Sequence, residues 1–238
     1  MSVIIPARNE AGWLTPTLNA AIAAADQAAA QLIATEIIVV DNGSADGTWD
    51  LLQQFVSRDE IRAVRLAEPG AARARNHGRR HALGRILVFV DADTHLPGDG
   101  LIRILDWCDR SGKEAGITRL SGLEDGWRAW CWWTFWEHVR RLPLPYAKAM
   151  PALMFCTAGA FDEFGPFDEE VAIGEEWPIL ASVYRHRSRS FVYDRSITGL
   201  TSSRRMERQS FGYVRTFLKY VWAILHKTGR IHYTDQIR

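Results

Sequence analysis

Nowhere in the 238 residues do 18 apolar residues run together, so no segment reads as a membrane-spanning helix. Cysteine is scarce. Cys108, Cys131 and Cys156 are odd in number and stand at no metal-like spacing, which argues against a disulfide framework or a zinc site. No leader segment is expected ahead of the first apolar stretch, and the expected setting is reducing and cytoplasmic. Charge of one sign is missing too: 29 Lys and Arg stand against 28 Asp and Glu, a formal net charge of +1. Nothing therefore draws the whole chain toward nucleic acid, and no nucleic-acid partner is expected. Internal repeats, low-complexity tracts and linkers are absent, which favours one domain over residues 1–238.

What is present is ordinary globular composition, 47% hydrophobic and 24% charged, with an unusual ten Trp. Short apolar runs at 3–5, 36–40, 61–66 and 85–90 read as strands. Helical patterns alternate with them: an Ala-rich stretch to about residue 33, then 47–56 and 71–83. Thr15 before Pro16 reads as a helix cap, with a start near Asn9 as the alternative. Continuous apolar strands separated by helices predict an α/β fold, a mainly parallel sheet sandwiched between helices. After a helix at 100–108 and a strand at 115–120 the alternation stops. A Trp-rich segment at 126–141 follows, then the LPLP stretch, a strand near 153–156, a Gly-rich turn, a helix after Glu176, strands around Phe191 and Ile197, and a final helix over 211–227.

In open parallel sheets ligands bind beyond the carboxyl ends of the strands, among loops and helix N-termini. The first such edge carries Pro6, Ala7, Arg8, Asn9 and Glu10, the second Asp41, Asn42, Gly43 and Ser44, and the fourth Asp91 and Asp93. The loop after the third strand, Glu68 to Gly70, leads into a helix bearing Arg73, Arg75, Arg79 and Arg80. Asp91 and Asp93 are two apart, so in extended chain their side chains leave on the same side. Together they suit one hard divalent cation, Mn²⁺ or Mg²⁺, shared with substrate phosphates. A turn before His95 and Pro97 is the alternative for this pair, and a turn at Asp-Asn-Gly-Ser is the alternative for Asp41. As a ligand group, Asp41 would accept hydrogen bonds from a base N–H or a ribose hydroxyl. Glu175 and Glu176 also suit the first turn of the helix that follows them.

Taken together, VIIPARNE at 3–10, EIIVVDNGSADGT at 36–48, GAARARNHG at 70–78, LVFVDADT at 87–94, FDEFGPFDEE at 161–170 and GEEW at 174–177 resemble the family-2 glycosyltransferases of the GT-A fold. The resemblance covers most of residues 1–190 in the family's order. It implies a nucleotide-sugar donor, a divalent metal and inversion at the anomeric carbon, with a donor-binding half over 1–120 and an acceptor-binding half with a C-terminal helix over 121–238. Pro6, Arg8, Glu10 and Asp41 are implied as donor contacts, with Arg75 near the base. Asp91 would meet ribose or metal, and Asp93 the metal. Glu176 would be the general base, with Glu175 as the other choice. Asn42 and Glu176 stand where the family often has Asp, and no late metal-ligand histidine can be matched. In its place lies TSSRRMER at 201–208, whose Arg204 is expected either to close over the diphosphate or to sit in a basic solvated loop. The Gln/Arg-x-x-Arg-Trp pattern of processive synthases is absent around Tyr184 to Arg187, which implies single transfers.

Two alternatives share parts of this pattern. A nucleotidyltransferase of similar fold would also need a nucleotide and a metal, but no Gly-rich, Lys/Arg-bearing triphosphate loop follows the first strand. A catalytically silent nucleotide-sugar-binding protein would be expected to lose Asp93 or Glu176, and both are present.

WRAWCWWTFW at 127–136 places five Trp on more than one helical face. Packing under the acceptor loop, stacking on a sugar acceptor and an interfacial belt on lipid head groups are all open readings. The stretch FGYVRTFLKYVWAILHKTGR is amphipathic, with Arg215, Lys219, Lys227 and Arg230 off its apolar side. Together they keep open peripheral contact with the inner face of a membrane, and an acceptor that is either a glycan or lipid-linked.

Overall fold

A computed structural model describes residues 1–124, 126–148, 151–171, 173–204 and 212–226, the stretch 212–217 by its backbone alone. The strands are β1 (Ser2–Ala7), β2 (Glu36–Asn42), β3 (Arg62–Leu66), β4 (Ile86–Val90), β5 (Thr94–His95), β6 (Ala115–Gly122), β7 (Leu153–Thr157) and β8 (Phe191–Thr201). The helices are α1 (Leu14–Ala29), α2 (Thr48–Val56), α3 (Ala71–His81), α4 (Gly100–Asp109), α5 (Trp127–Arg141), α6 (Ala158–Phe164), α7 (Trp177–His186) and α8 (Gly212–His226). The strands form one sheet in the order β3-β2-β1-β4-β7-β6-β8-β5. β3, β2, β1 and β4 run parallel; β7 runs antiparallel to both β4 and β6; β8 is parallel to β6, and β5 is antiparallel to β8.

Alternation along the strands explains the layers. Val3, Ile5, Val39, Val88 and Val90 face a core filled by α1, α2 and α4, including Leu18, Leu52 and Ile104. Their neighbours Ile4, Ile38, Val40, Leu87 and Phe89 face the opposite core with α3, α6 and α7, including Ala72, Phe161 and Leu180. Successive side chains of a strand point to opposite faces, so an uninterrupted apolar run such as ILVFV needs cover on both sides. Gly78 lets α3 lie close on the sheet, because a Cβ there would fall 2.4 Å from the Ile4 Cγ2 methyl.

Several boundaries differ from expectation. α1 begins at Leu14, neither at a Thr15 cap nor at Asn9: Asn9 has φ 53°, and the Glu10 carbonyl accepts from Trp13 and Leu14. The Gly-rich turn after β7 is instead helix α6, capped by Thr157 Oγ1, which accepts from the Ala160 N–H. The two strands expected around Phe191 and Ile197 are one strand, β8. Its register on β6 jumps between Asp194 and Thr198, and Asp194 holds the bulge by accepting from the Ser196 N–H and Oγ. β5, two residues long, has no periodicity to reveal it. Phe211, Lys227 and Arg230 lie outside the described residues, as do positions 205–208 and the Arg215 side chain.

Candidate active site

From β1 the chain passes to β2 and β3 on one side, and β4 flanks β1 on the other. The crevice where the strand order reverses opens above the carboxyl ends of β1 and β4. Two loops at this rim are locked together. The Asn9 N–H donates to Ser44 Oγ at 3.0 Å, its Oδ1 accepts from the Ala45 N–H at 2.8 Å, and the Glu10 N–H donates to Thr48 Oγ1 at 2.9 Å.

Asp41, at the end of β2, is fully buried. Its Oδ1 accepts from the Ser44 N–H at 3.1 Å, the turn expected of Asp-Asn-Gly-Ser. Arg65 Nε lies 3.1 Å from Oδ2 without hydrogen-bond alignment, so among the described residues that buried oxygen has an ion pair but no hydrogen bond. Pro6 sits within β1 beside Val40, and Arg8, half-buried one residue past β1, has no ion pair or hydrogen bond among the described residues. Asn42 Oδ1 accepts from the Gly70 N–H at 2.8 Å, tying β2 to the start of α3. An acceptor oxygen is all this tie requires, and Asn supplies it without charge.

Beyond β4 the two aspartates part company. Asp91 Oδ1 accepts from Arg75 Nη2 at 2.6 Å, while Asp93 Oδ2 lies 3.6 Å from Arg204 Nη2. Arg75, expected near the base, bridges Asp91 and Glu175, bonding the latter through Nη1, with its guanidinium 5.7 Å from the Phe167 ring centre. Burial opposes its charge, but Glu175 and Asp91 outweigh that and hold Arg75 firmly protonated. One cation between two carboxylates leaves an excess of negative charge. Burial, reinforced by Asp91 and opposed by Arg75, pushes the Glu175 carboxyl above its usual range. Glu176 is 6% exposed, and its carbonyl starts α7 by accepting from Ile179 and Leu180. It contributes to the field that favours charge on both Arg75 and the buried Arg140.

Arg204 arrives at this rim because β5 pairs with β8. Thr94 lies opposite Thr201, and the Asp93 carbonyl accepts from the Ser202 N–H at 3.0 Å. Its guanidinium bonds buried Glu10 Oε1 and lies 5.1 Å from the Trp13 ring centre. Glu10, expected as a donor contact, is thereby engaged with Arg204, and its Oε2 is buried without a partner among the described residues.

Two carboxylates at one strand end are the oxygen donor set that Mn²⁺ or Mg²⁺ accepts alongside phosphate oxygens. The Asp91 side chain is 37% exposed, leaving it open to a ligand. Among the described residues no group of three His, Cys, Asp or Glu side chains gathers as metal ligands. Asp91 and Asp93 supply two carboxylates of that donor set, and a cation there would need substrate oxygens to complete its coordination.

The Trp segment resolves by side. Trp132 and Trp136 are buried against Tyr220 and Ile224 of α8, and Trp133 Nε1 donates to Ser203 Oγ at 3.0 Å. Trp127 and Trp130 remain exposed. Sequence reasoning missed Trp13 and Glu124 as partners of the Arg204 segment. Glu124 accepts from Ser202 Oγ and the Ser203 N–H. No local pattern marks either contact.

The model of glycosyl transferase family 2 matches residues 2–164. Over 109 residues the chain is 38% identical to the putative teichuronic acid biosynthesis glycosyltransferase TuaG of Bacillus subtilis, covering 45% of this chain and 41% of that one. It is 30% identical over 130 residues to an undecaprenyl-phosphate 4-deoxy-4-formamido-L-arabinose transferase of Edwardsiella ictaluri, covering 53% of this chain and 39% of the relative. These matches thus span about two fifths of the length of those relatives. Among solved structures, mannosyltransferase PcManGT from Pyrobaculum calidifontis, in complex with GDP-Man and Mn²⁺, superposes with a TM-score of 0.65 at 18% identity, covering 99% of this chain and 66% of that one. S. aureus TarS 1-349 in complex with UDP-GlcNAc gives 0.59 at 19% identity, covering 85% and 56%. These likenesses show a shared GT-A fold.

Proposed function

The chain belongs to glycosyl transferase family 2, and on that premise we propose that it is an inverting glycosyltransferase. It moves one sugar at a time from a nucleoside-diphosphate sugar to an acceptor hydroxyl. The observation that carries this reading is the crevice above β1 and β4, where Asp91 and Asp93 stand beside Arg75 and Arg204.

In this reading Asp41 Oδ2, which has no hydrogen bond among the described residues, accepts from a base N–H or ribose hydroxyl as Arg65 gives way, with Pro6 and Arg8 on the same rim. Asp93, with Asp91, would hold Mn²⁺ or Mg²⁺, which would supply Lewis-acid stabilisation of charge on the departing diphosphate. Arg204 is placed beside Asp93 to meet the same diphosphate charge, exchanging its bond to Glu10 for phosphate oxygens. The acceptor oxygen forms its bond to the anomeric carbon as the bond to diphosphate breaks, with the electron pair leaving on the diphosphate. Glu176 takes the hydroxyl proton from the face opposite the leaving group, which gives inversion. Glu175, bonded by Arg75, positions that guanidinium, and Glu176 is read as the base from its place in the family's acidic pair.

Residues 1–120 would hold the donor and 121–238 the acceptor within one domain. The missing processivity pattern around Tyr184 to Arg187 supports single transfers. Solved structures of the same fold are complexes with GDP-Man and Mn²⁺ or with UDP-GlcNAc, which supports the donor class and the metal. The undecaprenyl-phosphate transferases among the relatives support a lipid-linked acceptor over a free glycan.

The test is calorimetric titration of UDP-, GDP- and dTDP-sugars with and without Mn²⁺. Binding of one nucleotide class, strengthened by Mn²⁺ and weakened by Asp93→Ala, is the expected result. Binding of none, or binding indifferent to both metal and Asp93, would overturn it.

A further inference from the structure

Helix α5 has two sides of opposite character. Trp132 and Trp136 are 6% and 0% exposed, and Trp136 packs edge-on against Tyr220. On the other side Trp127 and Trp130 are 73% and 68% exposed, and Phe135 and Leu142 are 38% and 46% exposed. At 3.6 residues per turn Trp127, Trp130 and Phe135 fall within about 140° of one another around the helix, and Leu142 follows its last turn. Two indoles left two-thirds in water next to further apolar surface mark an interaction face.

The charges on α5 show what the face meets. Arg128 and Arg141 are exposed near its two ends, and the Arg128 guanidinium carbon lies 5.5 Å from the Trp127 ring centre. The single acid of the helix, Glu137, is buried, accepting from Tyr193 Oη, Arg195 and Arg141. Aromatic rings framed by cations, with no exposed anion on the helix, are complementary to a surface that is negative outside and apolar beneath. A sugar platform fits less well: Arg128 covers one face of the Trp127 ring, and His138 Nδ1 faces the Thr134 carbonyl at 2.7 Å. A second copy fits less well too, because a two-fold contact between antiparallel copies of α5 would set arginine against arginine at each end.

We propose that the outer face of α5 docks on an anionic lipid bilayer. Trp127 and Trp130 enter the headgroup layer, where indoles partition, and Arg128 and Arg141 meet lipid phosphates. The contact is peripheral, since no helix among the described residues is long and apolar enough to cross a membrane. Trp133, through its bond to Ser203, ties α5 to the segment that carries Arg204, so docking sets one border of the crevice against the bilayer. The face lies outside the donor crevice and stands or falls independently of the donor assignment.

Co-sedimentation of the full chain with vesicles tests this. Vesicles of phosphatidylcholine mixed with phosphatidylglycerol should bind it, with a blue shift of Trp fluorescence. Phosphatidylcholine alone should bind it weakly, and added salt should release it. Trp127→Ser with Trp130→Ser should abolish sedimentation, and Arg128→Gln should weaken it about fivefold. Nucleotide-sugar titration of these variants should be unchanged, which separates loss of docking from loss of the donor site. No binding to anionic vesicles, binding indifferent to the Trp pair, or a wild-type dimer that the Trp pair converts to monomer in ultracentrifugation would each overturn the proposal.

Discussion

Arg75 Nη2 sits 2.6 Å from Asp91 Oδ1, with the arginine side chain 12% and the aspartate side chain 37% exposed. The same guanidinium bonds Glu175, so one largely buried cation joins the end of β4 to the loop that starts α7.

Removing that cation leaves two carboxylates facing each other in a poorly solvated crevice. Arg75→Gln is expected to destabilise the fold by about 3 kcal/mol, read as a lower urea midpoint. The exposed pair Arg110 with Asp106, at 3.9 Å, is a control: Arg110→Gln should leave the midpoint in place. An unchanged midpoint in Arg75→Gln would show that the pair does not join the two halves of the crevice.

The raised Glu175 carboxyl predicts a pH dependence. Its ordinary value is 4.5, and the folded protein binds its proton more tightly than the unfolded chain does. Its contribution to stability is therefore fully present below 4.5 and is lost as pH rises through the higher folded value. Glu175→Gln removes this dependence. Thermal melts from acid to neutral pH should show the wild type losing ground to the variant as pH rises. Parallel curves would contradict the assignment.

The strand cores were legible because each is a short apolar run ended by turn residues. ILVFV fixed β4, and with it the place of Asp91 and Asp93. The partners of those carboxylates were not legible. Arg75 and Glu175 are 100 residues apart in sequence, and Arg204 and Glu10 are 194 apart. Such contacts depend on the strand order, above all on two-residue β5 drawing Thr201 to Thr94. The Trp segment resisted a single reading for a physical reason: α5 is covered by α8 on one side and open on the other, so its rings serve two environments.

Gly174 gives a test of the loop before the paired glutamates. Its φ is +78°, and a Cβ there would lie 2.3 Å from the Trp177 indole, which is itself buried against Ile173, Ala181 and Ala223. Gly174→Ala therefore combines a left-handed backbone with a steric overlap that the packed indole cannot relieve. A loss of about 2–4 kcal/mol is expected, with a lower melting temperature and weaker transfer, because the strain falls beside Glu175 and Glu176. A melting temperature equal to wild type would mean that the Trp177 contact is loose.

Glu176→Gln separates chemistry from structure. The helix start at this position uses the backbone carbonyl, which accepts from Leu180 at 2.9 Å, so an amide side chain keeps the cap. Gln preserves size and burial but cannot take a proton from an acceptor hydroxyl. Transfer should fall by about 10²- to 10⁴-fold, while calorimetric affinity for the donor stays near that of the wild type. Glu175→Gln should behave differently, since it disturbs the Arg75 bridge to Asp91 and so weakens donor binding before it touches proton transfer. If Glu175→Gln abolished transfer with donor affinity intact and Glu176→Gln did not, the base would be Glu175, and the Arg75 contact would have to open during the reaction.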